Sequence, residues 1–164
     1  MRLGVSLPAF GVAATITLYE RQAPAVCRAI YASLARPLET QTAHACFDGH
    51  AVYCYLRDFP DPPPVENSTM YPTPGDVMFY YAPPHAYAWM SQDQERMVPG
   101  GVDAAVHEFS FIYGPVNLTH LMGDSFYGSL IGRVTTGFDE LTEAFARTLR
   151  EGSTPVAICQ DAVG

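Results

Sequence analysis

Short stretches of alternating apolar and polar residues recur along the chain, and this period of two is typical of β-strands buried on one side. Residues 3–7 and 12–18 predict the first two strands. Later segments of β-type composition predict further strands at residues 76–81, 85–90, 106–113, 125–135 and 155–159. The alternation is cleanest in residues 106–113, where every second residue from Phe109 to Tyr113 is aromatic. The other face of this strand carries Glu108, Ser110 and Ile112.

Two other segments repeat their apolar residues with the 3.6-residue period of an amphipathic helix. The first begins near Pro24, which suits the first turn of a helix, and carries Val26, Ile30 and Leu34 on one side. The second runs from residue 138 to about residue 150. Its predicted buried stripe consists of four side chains: Phe138, Leu141, Phe145 and Leu149. Both helices are therefore expected to lie against the sheet.

A hairpin is predicted where Asp48-Gly49 separates two β-type segments, residues 38–47 and 50–57. A two-residue turn at this point places His44 opposite Tyr53. The face shared by these two is polar and aromatic, and its members are Thr40, Thr42, His44, Tyr53, Tyr55 and Arg57. The other face is small and apolar and is the predicted core side, with Ala43, Ala45, Val52, Cys54 and Leu56. For the polar face, both a solvated sheet surface and the floor of a ligand pocket remain open.

A proline-rich arm, residues 62–76, joins this hairpin to the next strand. Prolines restrict their own φ and the conformation of the residue before them, so the arm is predicted to be stiff. It presents Glu66 and Asn67 between prolines on either side. The arm is interpreted either as a rigid connector or as a preorganised ligand-binding loop.

The hairpin and the arm together define a predicted ligand site. Its ligand-binding residues are Thr42, Tyr53, Tyr55, Arg57, Glu66 and Asn67. His44 is the candidate catalytic residue, because an imidazole exchanges protons near neutral pH. The alternative for His44 is a surface histidine that is hydrogen-bonded to a tyrosine and has no chemical role. Arg57 favours a ligand with a carboxylate, which a guanidinium can pair at two atoms.

Composition narrows the classes of function. With 164 residues the chain is expected to form one domain, residues 1–164. Nine basic residues against 17 acidic ones give a net charge of −8, which argues against nucleic acid or an anionic membrane as a partner. All nine basic residues are arginine, so a Schiff-base lysine and a P-loop lysine are excluded.

The cysteines and histidines do not show the spacing of a metal site, and neither a metal nor another cofactor is predicted. No stretch reaches the roughly 18 apolar residues that span a bilayer. The N-terminal residues lack the pattern of a secretory signal. The expected location is the cytoplasm, with the four cysteines as free thiols.

Two segments resemble the ends of a cyclophilin-type barrel: residues 16–26 (ITLYERQAPAV) and residues 131–141 (IGRVTTGFDEL). Residues 66–76 and 108–114 are similar to a small bacterial group of cyclophilin-like proteins of unknown function, the DUF3830 type. The resemblance implies a mainly β fold, a closed antiparallel cyclophilin-like barrel of about eight strands with two capping helices.

The cyclophilin segment that carries the isomerase arginine, with its Phe-His-Arg and Gln-Gly-Gly signatures, has no match here. Cyclophilin-like domains also build subunits of bacterial 5-oxoprolinase and allophanate hydrolase. By this analogy the chain is interpreted as a small-molecule-binding protein, either an enzyme or an accessory subunit in the catabolism of a small amide or carboxylate. The alternatives are a residual peptidyl-prolyl isomerase and a structural subunit of a hydrolase assembly. A homo-oligomer and a hydrolase partner subunit both remain open.

Overall fold

The computed structural model describes residues 1–45, 49–57, 59, 62–86, 101, 103–118 and 128–161. Within them the chain is mainly β and forms one antiparallel sheet, which is curved into a barrel, two α-helices and one short 3-10 helix (Pro8–Phe10). The strands are β1 (Arg2–Leu7), β2 (Val12–Leu18), β3 (Leu38–Gln41), β4 (Ala43–His44), β5 (Gly49–Tyr55), β6 (Ser68–Thr69), β7 (Asp76–Ala82), β8 (Val106–Val116), β9 (Gly128–Thr136) and β10 (Pro155–Gln160). The helices are α1 (Pro24–Ser33) and α2 (Phe138–Glu151).

The sheet closes on itself through one short stretch of chain. Its strand order is β3-β10-β1-β2-β9-β7-β8-β5-β4, and β6 pairs with β9 beside this path. The first and last strands in this order are consecutive in sequence and are separated by Thr42 alone. When β3 and β4 are counted as one strand, the nine on the path become eight. The predicted closed barrel of about eight strands with two helices is confirmed within the described residues.

Thr42 fastens this closing stretch to the start of β10. Its backbone N–H and its hydroxyl both donate to the carbonyl oxygen of Thr154, at 2.9 and 3.0 Å. The backbone N–H of Thr154 donates back to the Thr42 hydroxyl oxygen at 3.1 Å. Thr42 is buried, so this residue, predicted to bind a ligand, takes part in closing the barrel.

One apolar cluster fills the barrel and includes residues of both helices. Phe109, Phe111 and Tyr113, which the alternation of β8 places on one face, belong to it. In α1 the predicted stripe is buried and includes Cys27 as well. Successive side chains of a strand point to opposite faces of the sheet. The residues that alternate with these buried ones therefore lie on the outer face of the barrel.

The predicted buried stripe of α2 is wrong at its C-terminal end. Leu141 and Phe145 are buried, but Leu149 is 63% exposed and Phe138 only half-buried. Ala144 and a buried threonine, Thr148, complete the inner face instead. The turn angle of about 100° per residue carries position 149 away from the centre of this face, so a four-residue spacing does not hold along the whole helix.

The register predicted for the hairpin is wrong by one residue. His44 lies opposite Val52, and Ala43 lies opposite Tyr53. Ala45 donates to the carbonyl of Ala51, which leaves the five residues 46–50 between the paired strands. In a hairpin with a two-residue turn, the number of residues between any two paired positions is even. Five residues lie between Ala45 and Ala51, so the turn is not of this type. Of the predicted turn, Asp48 lies outside the described residues.

A shift of one residue moves every side chain of one strand to the opposite face. His44 therefore shares the barrel interior with Val52, whereas Tyr53 and Tyr55 lie outside. The predicted core residues Val52, Cys54 and Leu56 are confirmed, whereas Ala45 packs in a second apolar cluster on the outer face.

The strand predicted for residues 85–90 is also wrong at its start. His85 and Ala86 lie in a turn, and His85 has a φ of 67°. Residues 87–90 lie outside the described part of the chain.

Candidate functional site

Glu66 caps the N-terminal end of α1. The helix begins after Ala23, which offers no side-chain cap. Instead the Oε2 atom of Glu66 accepts hydrogen bonds from the backbone N–H groups of Ala25 and Val26, at 2.8 and 3.0 Å. A carboxylate at this end satisfies unpaired N–H groups and complements the helix dipole. Burial, followed by the negative charge of Glu66, raises the pKa of Cys27, the residue after Val26, to about 11.

Arg57 binds the opposite end of the same helix. Its guanidinium donates to the carbonyl oxygens of Ser33, Arg36 and Pro37, at 3.4, 2.9 and 2.6 Å. These carbonyls lie at and just beyond the last turn of α1. Since a ten-residue helix is roughly 15 Å long, the structure places Arg57 and Glu66 far apart.

Asn67 fixes the arm to the barrel wall. Its side-chain amide donates to the carbonyl of Leu130 at 2.8 Å, and the N–H of Leu130 donates back to the Asn67 carbonyl at 3.2 Å. The φ of Asn67 is 50°, a left-handed conformation that asparagine tolerates better than most residues. The arm is thus bound to the barrel at these residues as well as stiffened by prolines.

We predict that Glu66→Ala lowers the free energy of unfolding by about 1–2 kcal/mol, as the loss of a helix cap does. Glu66→Gln should lose less, because an amide oxygen still accepts a hydrogen bond but carries no charge. Urea denaturation measures both. Glu39→Ala, an exposed glutamate on β3, is the control and should change stability by less than about 0.5 kcal/mol. Equal losses in Glu66→Ala and Glu39→Ala would contradict the cap.

His44, the candidate catalytic residue, is hydrogen-bonded at both ring nitrogens. Nδ1 lies 2.8 Å from the carbonyl oxygen of Ala45, which can only accept, so Nδ1 carries the proton. In the neutral imidazole Nε2 then accepts from the Tyr113 hydroxyl at 2.6 Å. Burial raises the pKa of Tyr113 and keeps this phenol in its donating form. The ring of His50 contacts Tyr113 edge-on, with centroids 5.4 Å apart.

On the outer face of β5, β8 and β7, three tyrosines gather around a carboxylate. Glu108 is the cross-strand partner of Tyr55 on one side and of Tyr80 on the other. The next row along β8 pairs Tyr53 with Ser110. Side chains opposite each other in antiparallel strands have Cβ atoms about 5 Å apart, so these groups are in contact range. We call this set, Tyr53, Tyr55, Tyr80, Glu108 and Ser110, the tyrosine face.

The tyrosine face combines a buried floor with accessible groups. The Ser110 hydroxyl, which is buried, donates to Oε1 of Glu108 at 2.6 Å. Glu108 and the three tyrosines are half-buried, and the rings of Tyr53 and Tyr55 meet edge-on at 5.5 Å. On the opposite side of β5, burial and the charge of Glu108 raise the pKa of Cys54 and keep it a neutral thiol. The arrangement can hold a flat group against aromatic rings and fix a polar group at the carboxylate.

The sequence identifies Tyr53 and Tyr55 but not Glu108, Tyr80 or Ser110 as site residues. A signal for Glu108 and Ser110 exists in the alternation of β8, where they are the polar residues between aromatic ones. Their neighbours come from β5 and β7, so only the pairing of three strands brings the group together.

Among the described residues, no three His, Cys, Asp or Glu side chains come close enough together to hold a metal ion. In the same part of the chain, no helix has the length and apolar character that crossing a lipid bilayer requires.

Solved structures of two other proteins are similar to this one. McbB, whose structure was determined in complex with tryptophan, aligns with a TM-score of 0.63 and 15% sequence identity. The alignment covers 99% of this chain and 45% of McbB, so this chain spans about half of that protein. The hypothetical protein AF2241 from Archaeoglobus fulgidus aligns with a TM-score of 0.56 and 19% identity, covering 98% of this chain and 95% of AF2241. At such identities the similarity shows a shared fold.

A search of the curated proteins finds no significant match. The model of one protein family, described as a protein of unknown function (DUF3830), matches residues 5–160. This match covers nearly the whole chain, as the resemblance of residues 66–76 and 108–114 predicts. The chain belongs to the DUF3830 family.

Proposed function

We propose that the protein binds a small organic molecule on the tyrosine face. The observation that carries this proposal is the half-buried carboxylate of Glu108, which lies between tyrosines of both neighbouring strands. Tyrosines supply large contact areas at a small entropic cost, because their side chains have few rotatable bonds. An ionised group beside them fixes the orientation of a ligand, as is usual in small-molecule sites.

The fold comparison supports the proposal. McbB, which shares this fold, was solved with bound tryptophan, a small molecule with an aromatic ring. The tyrosine face offers rings against which such a group packs edge-on or in an offset stack.

The contacts of Arg57 alter the expected class of ligand. The preference for a carboxylate ligand depended on this guanidinium, which three carbonyl oxygens hold at the end of α1. The tyrosine face presents the carboxylate of Glu108 instead. Tyr53 and Tyr55 remain in the proposed site. Of the other predicted residues, Thr42 binds Thr154 where the barrel closes, Glu66 caps α1, and Asn67 binds the arm to Leu130.

The test is binding of tryptophan to the wild-type protein and to a variant that lacks both rings of β5, Tyr53→Ala with Tyr55→Ala. We expect the double variant to bind at least about tenfold more weakly, equivalent to ~1.4 kcal/mol. Isothermal titration calorimetry or ligand-observed NMR measures the affinity, and circular dichroism verifies that the variant is folded.

The matched control is Tyr71→Ala, which removes a tyrosine that is 72% exposed on the arm. It should bind tryptophan as the wild type does. If the double variant and Tyr71→Ala bind equally well, or if the wild type binds neither tryptophan nor a simpler indole, the tyrosine face is not the ligand site.

A further inference from the structure

We infer that one edge of β9 is a docking site for an extended acidic segment of another protein, and that residues 65–69 of the arm close this site as a displaceable strap. The strap pairs with β9 through β6 and reaches the start of α1 through the side chain of Glu66. The inference is independent of the tyrosine face, which lies on β5, β8 and β7.

The edge of β9 that the strap covers is left over by β2. The opposite edge of β9 pairs with β7. On this edge β2 pairs with residues 132–136 and ends at Leu18, after which the N–H of Tyr19 donates to the carbonyl of Ile131 at 2.8 Å. Residues 128–130 bind the strap and, in the part of the chain that the structure describes, no longer strand on this edge. An edge of this kind pairs with any extended chain that reaches it.

The groups that hold the strap define what the site recognises. Two N–H groups at the start of α1 donate to the carboxylate of Glu66, at 2.8 and 3.0 Å, and thereby select one acidic side chain. The remaining contacts are with the main chain of the strap. The Glu66 N–H donates to the hydroxyl of Ser129 at 3.0 Å, and the Leu130 N–H donates to the Asn67 carbonyl at 3.2 Å. The recognised segment is therefore extended and carries a carboxylate at one position.

The strap buries little surface compared with the rest of the arm. None of its five residues is buried, and Val65 is 59% exposed. The three residues before it are prolines, which have no N–H to donate. By contrast, Met70 packs against the outer apolar cluster, and Pro72 is buried. Segments with few buried contacts open at a lower free energy than the core, so the strap can leave while the rest of the arm stays in place.

The covalent link to the rest of the chain keeps the site closed in the absence of a partner. A tethered segment acts at an effective concentration on the order of millimolar, so a free segment that makes the same contacts competes poorly. A partner displaces the strap when it makes contacts beyond those of the strap. The net charge of −8 disfavours a partner segment with many acidic residues, so a single carboxylate among neutral residues fits best.

The test uses a labelled peptide with the sequence of residues 64–70 (PVENSTM) and blocked ends. The variant Glu66→Ala with Asn67→Ala removes the side chains that anchor the strap and leaves the edge of β9 unchanged. We expect this double variant to bind the peptide at least about tenfold more tightly than the wild type does, as measured by fluorescence anisotropy. A peptide with glutamine in place of its glutamate should bind the double variant at least about fivefold more weakly.

Ser129→Ala, added to the double variant, tests whether the peptide binds at this edge. It removes the hydroxyl that accepts from the main chain of the bound segment and should weaken peptide binding at least about threefold. The matched control is Thr135→Ala, an exposed position farther along β9, which should leave the affinity unchanged. A scrambled peptide of the same composition should not bind, and circular dichroism verifies that each variant is folded.

Hydrogen exchange of the wild type tests the strap without any substitution. The N–H of Leu130 is bonded to the strap, whereas the N–H of Tyr19 is bonded to the neighbouring residue of β9 along the same edge. Opening of the strap by itself exposes the first N–H and not the second. After correction for intrinsic rates, the Leu130 N–H should exchange at least about tenfold faster than that of Tyr19.

The inference is overturned by any of four results. The peptide binds neither protein, or it binds the wild type and the double variant equally. The scrambled peptide binds as tightly as the original. Thr135→Ala weakens binding as much as Ser129→Ala does. The N–H groups of Leu130 and Tyr19 exchange at the same rate, which would mean that the strap opens together with the barrel and is a fixed connector.

Discussion

Replacing Phe145 with alanine is expected to lower the free energy of unfolding by about 3–5 kcal/mol, the range for large-to-small changes in a packed core. Phe145 is fully buried on α2, and its ring centroid lies 5.2 Å from that of Phe111 and 6.0 Å from that of Tyr113. The variant loses the transfer free energy of a large aromatic group and leaves a cavity between helix and barrel. Denaturation in urea, with the midpoint and slope both fitted, measures the loss.

The control for this experiment is Leu149→Ala on the same helix. Leu149 is 63% exposed, so its truncation should change stability by no more than about 0.5 kcal/mol. The pair tests the face of α2 as well as the core, because the sequence pattern alone places both residues in one buried stripe. A loss below about 1 kcal/mol for Phe145→Ala, or a comparable loss for Leu149→Ala, would show that the helix packs differently.

A second large effect is expected from Gly137→Ala at the start of α2. Gly137 has a φ of 71°, and an added Cβ would lie 2.3 Å from the carbonyl oxygen of Ala13 in β2. The left-handed conformation alone costs a non-glycine residue about 1–2 kcal/mol. The neighbouring atom belongs to the backbone of a paired strand, so relieving the clash requires α2 or β2 to move. We expect a total loss of at least about 3 kcal/mol.

Gly11→Ala separates the two contributions. Gly11 has a similar φ of 65°, but an added Cβ there would meet no atom within 4 Å. Its loss should be limited to about 1–2 kcal/mol of backbone strain, and the difference between the two variants measures the close approach of α2 to β2. Equal losses in the thermal or urea melts of both variants would mean that the helix accommodates the methyl group without strain.

The elements of this fold can be predicted from the sequence because hydrophobic period is a local property. The aromatic alternation of β8 and the helical spacing in α1 both correspond to buried faces of the structure. Register is less local. The pairing of Ala43 with Tyr53 depends on an odd number of residues in the connection, and this single difference moves His44 to the interior.

The partners of charged side chains were the least predictable feature. The sequence selects Glu66 and Arg57 as ligand-binding residues because both are charged. In the structure they bind the two ends of α1 instead. One signal was available: the residue before Pro24 is Ala23, whose side chain has no acceptor, so any side-chain cap has to come from elsewhere in the chain. Which acidic residue supplies it depends on tertiary packing, because Glu66 is 41 residues away from the N–H it binds.

The tyrosine face illustrates the same limit for function. Tyr53 and Tyr55 can be selected from one strand, but Glu108 and Tyr80 become their neighbours only through the pairing of β5, β8 and β7. A polar residue in an otherwise aromatic strand is therefore a candidate site residue even when its neighbours in the sheet are unknown.

The closure of the barrel through residues 38–44 has a consequence for how the protein is made. These residues pair with β5, which follows within a few positions, and with β10, which begins at Pro155. During synthesis on the ribosome, the edges of β1 and β3 that pair with β10 therefore have no partner until β10 has emerged. Such edges are templates for pairing with other chains. We expect pairing across so many residues to make the final step of folding slow, and the incomplete chain to be more prone to aggregation than the complete one.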